Sequence, residues 1–233
     1  MSEFDSQSFW GERWAAGRLG FHRSEVHPVL LNDGERFLDD GPHRVLVPLC
    51  GKSWDVPWLA DQGHTVTGVE IVRQAIDDLF AEHDLEPRVE QRDGFEVHTA
   101  ERIEVWCADF LALPEDVGPF TRVWDRAAIV AVLPEQRGDY VEQLRRLAPG
   151  ATLWLTSIDY DPGIMDGPPF AVPHAEIEAR FANDELKRLQ RVDLAQDPTT
   201  RWAKLGHRRF EITLWSMRLL AGRPSNRVSV FPT

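Results

Sequence analysis

Apolar and polar positions along the chain alternate between short apolar runs and helical stripes. Val45-Leu46-Val47 is continuous and apolar, the pattern of a strand covered on both faces. Cys50-Gly51-Lys52-Ser53 follows as a tight turn; Asp55 or Ser53 is placed to cap the next helix, with Pro57 in its first turn. Gly63-His64 ends that helix, and Thr65 to Val69 forms a second strand that stops on Glu70. Val72, Ala75, Ile76, Leu79, Phe80 and His83 recur at helical spacing. Strands are predicted from Ile103 to Asp109, Phe120 to Arg126 and Ala151 to Ile158. A helix with Tyr140, Val141, Leu144 and Leu147 on its buried face spans Pro134 to Leu147. Arg191 to Leu194 and Arg208 to Leu220 read as an antiparallel edge hairpin. Residues 84–100 are polar and weakly patterned, suiting a loop with one strand or a hairpin.

The first residues carry two helical patterns. Phe4 to Ala16 places Trp10 and Trp14 on one face, with Asp5 as cap. His27-Pro28 opens a second helix bearing Val29, Leu30, Phe37 and Leu38, with continuity across Asn32-Asp33-Gly34 left open. The whole alternation predicts an open α/β sheet in one domain spanning 1–233, with residues 1–43 as an N-terminal extension. Residues after Gly222 read as a polar extension.

The chemistry of such a sheet lies at the carboxyl ends of its strands. Gly51 has no side chain to hold a ligand away from the backbone. Glu70 follows it at close to the ~20-residue offset at which a carboxylate meets ribose hydroxyls. A solvated, purely structural glutamate is the competing reading. The turn lacks the G-x-G-x-x-G that cradles a pyrophosphate, which disfavours a nicotinamide dinucleotide. A nucleoside without phosphates fits better, and S-adenosylmethionine is the natural candidate. Asp109, at the next strand end, either faces the adenine or caps a following turn. Arg126 either grips a carboxylate or forms a local ion pair with Asp125. Trp10 and Trp14 either dock a terminal helix or form a lid whose ring faces attract a sulfonium. Asp159, His174 and Glu176 can be arranged as acid–base partners, but helix capping is favoured for this group.

Composition narrows the partners. The net charge of −12 disfavours nucleic acid and anionic membranes, which reward clustered Lys and Arg. Two cysteines suit free thiols in a reducing cytoplasm and cannot build a disulfide framework or a four-cysteine zinc site. MSEFDSQSFW lacks the apolar core of a signal peptide, and no apolar run approaches a membrane span. Nothing in the chain demands more than a monomer.

Several strings also resemble one family. VPLCGKSWDVPWLADQGHTVTGVE followed by AIDDLF is similar to the thiopurine S-methyltransferases. So are the N-terminal F-W-x-x-x-W-x-x-G-x-x-x-F-H, C-A-D-F-x-x-L, the WDRAAIVAVLPEQRGDY run, and DYDPGIMDGPPFAVPHAEIEARF. Thr121-Arg122 and Ala127 depart from the family pattern at the strand start and after Arg126. The resemblance implies a class I, Rossmann-like methyltransferase: a seven-stranded, mostly parallel sheet with helices on both faces and an antiparallel edge hairpin. It implies S-adenosylmethionine as cofactor and no metal. Trp10, Trp14, Leu49, Gly51, Glu70, Ala108, Asp109 and Arg126 would bind the cofactor, and Phe21, Asp159 and Phe170 the acceptor. The acceptor would be an aromatic or heterocyclic thiol, with selenium or tellurium compounds also implied by bacterial relatives. The thiolate would attack the methyl carbon in line, with no dedicated base. A halide or thiocyanate methyltransferase, or a non-catalytic cofactor sensor, carries comparable cofactor motifs. A small anion pocket would favour the former, and a broad aromatic pocket the thiol reading.

Overall fold

In the computed structural model, residues 5–20, 22–39, 41–161, 163 and 165–220 are described. Helix α1 (Ser6–Ala15) begins at Asp5, whose carboxylate accepts the Ser8 N–H. Helix α2 (Pro28–Leu38) is continuous, and His27 caps it through a side-chain nitrogen that accepts the Val29 N–H. Gly34 belongs inside that helix for packing, since a Cβ there would lie 3.1 Å from the Trp58 ring.

The central unit is β1 (Arg44–Pro48), α3 (Asp55–Asp61) and β2 (Thr65–Glu70), followed by α4 (Arg73–Glu82). Then come β3 (Arg88–Arg92), β4 (Phe95–Ala100), β5 (Ile103–Cys107), β6 (Arg122–Asp125), α5 (Arg137–Leu147) and β7 (Thr152–Tyr160). The last described elements are α6 (His174–Arg180), β8 (Lys187–Asp193), the short α7 (Arg201–Lys204) and β9 (Phe210–Arg218). Among the described residues, one sheet of nine strands has the order β3-β4-β5-β2-β1-β6-β7-β9-β8. The run β5-β2-β1-β6-β7 is parallel throughout, while β9 pairs antiparallel with both β7 and β8.

The expected seven strands are therefore present from β5 to β8, and the sheet has two more. Residues 88–100 fold into the β3–β4 hairpin, and β4 extends the sheet edge antiparallel to β5. Alternation along the central strands sends side chains into two cores. Val45 and Val47 meet α2, α3 and α4 through Phe37, Leu59 and Leu79. Leu46 and Val123 instead meet α5 and α6 through Tyr140, Leu144 and Ile177. Both faces of the sheet are thus covered, as the continuous apolar strands require.

Three local expectations are corrected. The fifth strand ends at Cys107, and Asp109 accepts the Leu111 N–H to cap a short 3-10 turn. Strand β7 runs past Ile158 to Tyr160, because Asp159 and Tyr160 pair with Glu211 and Phe210 of β9. His174 starts α6 without making a side-chain cap; its Nε2 lies 2.9 Å from Thr213 Oγ1. Glu176 pairs instead with Arg137 and Arg180, each at 2.8 Å.

Candidate active site

Strand order reverses at β1, which has β2 on one side and β6 on the other. Ligands of open α/β sheets bind at the carboxyl ends beside such a reversal. A cleft of about 520 Å³, counting its open mouth, lies there. Its walls include Leu49 after β1, Val69 and Ile71 around the end of β2, Ala108 and Asp109 after β5, and Trp10 from α1. A second hollow, lined by Arg44, Thr65, Thr67 and Arg102 among others, opens at the amino ends of the strands. It is remote from the reversal's carboxyl side.

The turn after β1 has an unusual backbone. Leu49 and Gly51 both have positive φ, 48° and 53°. For leucine this left-handed conformation is strained, a feature that gathers at ligand sites. The turn is tied down by Glu70. Its Oε2 accepts the Gly51 N–H at 2.9 Å, and its Oε1 accepts the Val72 N–H at 2.9 Å. Glu70 is buried, so the solvated reading of this residue is wrong. Burial pushes its carboxyl above the ordinary value, against the hydrogen bonds from the neighbouring backbone N–H groups. Trp14 is buried against Val72 and Ala75, and its ring lies over Gly51. Helix α1 is therefore docked on the turn and on α4 through Trp14, while Trp10 faces the cleft.

Of the cofactor candidates, Trp14, Gly51, Glu70 and Arg126 do not line the cleft; Arg126 lies against the β1–α3 turn. Its Nη1 donates to Ser53 Oγ at 2.8 Å and approaches Asp55 Oδ2 at 3.5 Å. It is not paired with Asp125. That aspartate is buried and accepts the Tyr140 hydroxyl at 2.8 Å and the Ala128 N–H at 2.6 Å. Burial pushes its carboxyl up to about 7. Asp55 is not a helix cap either. Ser53 Oγ accepts the Asp55 N–H, and the Asp55 carboxylate is buried among long-range partners.

Of the acceptor candidates, Phe21 lies outside the described residues. Phe170 donates its N–H to the Val130 carbonyl at 2.7 Å, beside the Ala131–Val132 segment of the cleft wall. Asp159 lies apart from that wall and is gripped by both terminal nitrogens of Arg209, at 2.5 and 3.2 Å. With His174 and Glu211 it forms a cluster whose ligand atoms lie within 4.8 Å of one another. Arg209 and Arg191 supply the opposing charge there. Cleft residues that the sequence did not single out include Ser6, Phe110, Gln136 and Tyr140. Tyr140 carried a signal only as a member of a buried helical face.

Taken together, the sheet order, the helices on both faces and the acidic residue closing β2 over a glycine turn define a class I methyltransferase fold. Solved structures agree. The magnesium protoporphyrin IX methyltransferase of Synechocystis PCC 6803, with bound S-adenosylmethionine, superposes with a TM-score of 0.60 at 14% identity, covering 94% of this chain and 99% of that one. A Burkholderia thailandensis 1,6-didemethyltoxoflavin-N1-methyltransferase gives 0.60 at 15% identity, covering 91% of this chain and 86% of that one. At these identities the likeness concerns the fold.

Sequence comparison is more specific. The family model described as Thiopurine S-methyltransferase (TPMT) matches residues 5–218. The Thiopurine S-methyltransferase of Pseudomonas putida is 41% identical over 192 residues, 82% of this chain and 89% of the relative. That of Pseudomonas fluorescens is 37% identical over 212 residues, 90% and 97% respectively. The chain belongs to the thiopurine S-methyltransferase family.

Proposed function

We propose that this chain transfers a methyl group from S-adenosylmethionine to the sulfur of an aromatic or heterocyclic thiol. The observation that carries the reading is the buried Glu70 joined to the Gly51 turn, with its neighbours Val69 and Ile71 in the cleft wall. An ionised carboxylate offers about four lone-pair positions, and the two backbone N–H groups use only one on each oxygen. One position on each remains for the two ribose hydroxyls. Leu49, Val69 and Ala108 supply apolar walls for the adenosyl group, and Asp109 the polar edge beside the adenine. Arg126 is the cation for the amino-acid carboxylate, with the Asp55–Ser53 pair behind it. The chemistry of these residues, in and beside the cleft, fits the cofactor.

Bound there, S-adenosylmethionine supplies an electrophilic methyl carbon attached to a sulfonium leaving group. The chain's own contribution is alignment and exclusion of water. Trp10 stands in the cleft wall, where an aromatic face attracts a cation, and Trp14 anchors α1 over the Gly51 turn. The acceptor meets Phe170, which lies beside the Ala131–Val132 wall of the cleft; Phe21 and Asp159 are its further contacts, and selenium or tellurium compounds are further acceptors. No side chain is assigned the acceptor's proton. A cysteine-like thiol ionises near ~8.5, within reach of solvent. We place this activity in a cytoplasmic monomer acting on small molecules, with no metal. Among the described residues no helix is long and apolar enough to cross a membrane.

The test is turnover with S-adenosylmethionine and, in parallel, 6-mercaptopurine, thiocyanate and selenite, with products weighed by mass spectrometry. Methylation of the aromatic thiol supports the reading. Turnover of thiocyanate alone makes the chain a small-anion methyltransferase, and binding without any turnover makes it a sensor.

A further inference from the structure

The Asp55 carboxylate is fully buried and joins three separate parts of the chain. Oδ1 accepts the backbone N–H of His27, which precedes α2, at 2.7 Å. Oδ2 accepts Trp124 Nε1 of β6 at 2.8 Å. Arg126 Nη1 lies farther off, at 3.5 Å from Oδ2, and makes its short bond to Ser53 Oγ. The two short bonds of the carboxylate thus go to neutral donors and the long one to the cation.

A full carboxylate–guanidinium pair is bidentate, at roughly 2.7–2.9 Å. Asp55 is held back from that geometry by its two neutral partners. Among the described residues, Nε and Nη2 of Arg126 make no hydrogen bond. Burial draws Arg126 below its ordinary pKa, with Asp55 opposing. Burial also pushes neighbouring His27 down to about 4, so its imidazole is neutral and adds no second cation. Arg126 is therefore fixed in place through Nη1 alone, with Nε and Nη2 left to donate elsewhere.

We propose that Asp55 is a positioning residue: it locates the Arg126 guanidinium beside the Ser53 turn through one nitrogen while leaving the other two to donate to an anionic ligand group. This rests on the cofactor reading above and deepens it, because that group is the amino-acid carboxylate of the cofactor. The network also ties the segment leading into α2 to the same arginine through His27.

Two ligands separate this role from a structural one. S-adenosylhomocysteine carries the carboxylate; 5′-methylthioadenosine has the same adenosine and lacks it. In Asp55→Asn the amide NH₂ faces donors, and the Arg126 anchor is lost. S-adenosylhomocysteine should bind about tenfold more weakly, the equivalent of ~1.4 kcal/mol, and methylthioadenosine within about twofold of wild type. Ser53→Ala, which leaves the buried carboxylate intact, should cost about threefold for the homocysteine ligand alone and keeps the test alive if Asp55→Asn does not fold. In an Arg126→Gln background, Asp55→Asn should add nothing further. Equal losses for both ligands, or an unchanged homocysteine affinity, would overturn the proposal. Wild-type protein that binds neither ligand refutes the cofactor reading itself, and the proposal with it.

Discussion

Replacing Glu70 with alanine is the most informative single perturbation of this site. The carboxylate is buried, and each of its oxygens holds one backbone N–H at 2.9 Å. If each oxygen also accepts a ribose hydroxyl, two charge-assisted hydrogen bonds disappear on truncation. Such bonds contribute about 1.5–3 kcal/mol each, so binding should weaken by up to about 3–6 kcal/mol. Non-additivity places the expected loss near its lower end, about a hundredfold in Kd. Alanine also strips the Gly51 and Val72 amides of their partner, at about 1–3 kcal/mol each where water does not replace it. Calorimetric titration with S-adenosylhomocysteine should therefore be run below the melting temperature, which scanning calorimetry measures on the same samples. A 2′,3′-dideoxy analogue separates the two costs. Wild type should discriminate strongly against it, and Glu70→Ala should hardly discriminate at all. A folded Glu70→Ala protein that binds S-adenosylhomocysteine within about threefold of wild type would refute the ribose assignment.

Other substitutions test packing and titration. A Cβ on Gly68 would lie 2.8 Å from Cys50 Sγ and 3.4 Å from Val105 Cγ2. Gly68→Ala should therefore cost about 1–3 kcal/mol in chemical denaturation, as overpacked cores do. Gly138, in α5, would place its Cβ 3.7 Å from Arg180 Nη1, an ordinary contact. Gly138→Ala should instead stabilise the chain by about 0.4–1 kcal/mol. Asp125 titrates at about 7 when folded, against an ordinary 3.8. The folded state then holds a proton that the unfolded chain has released, so stability falls as pH rises between those values and levels off above them. The contribution is at most about 4 kcal/mol. Asp125→Asn should flatten that part of the urea-denaturation profile, and an unchanged slope would show that the carboxylate is ionised throughout.

The parts of the fold that could be read from the sequence are those where burial is local and complete. Val45 to Val47 and Val66 to Glu70 are buried on both faces because helices cover both sides, and their ends were legible together with Glu70. The β3–β4 hairpin was only half legible, because an edge strand exposed along most of its length shows no apolar alternation. Asp55 was misread for a different reason. Its sequence neighbours suggest a helix start, but its partners His27 and Trp124 are distant in the chain and met only through the fold. His174 is a similar case: it stands before a helix, yet its side chain turns to Thr213 on β9. Asp159 looked like a loop residue until the register with Glu211 drew it into β7. Leu49 at positive φ left no trace in residue type, since leucine gives no hint of a left-handed turn.

The central claim is that the cleft at the carboxyl ends of β1, β2 and β5 holds an adenosyl cofactor without phosphates. Calorimetric titration of the whole chain with S-adenosylhomocysteine tests it most directly, with NAD as competitor in the same cell. One molecule bound per chain, undisturbed by NAD, is the expected result. No heat with S-adenosylhomocysteine at millimolar concentration, or its displacement by NAD, would contradict the account.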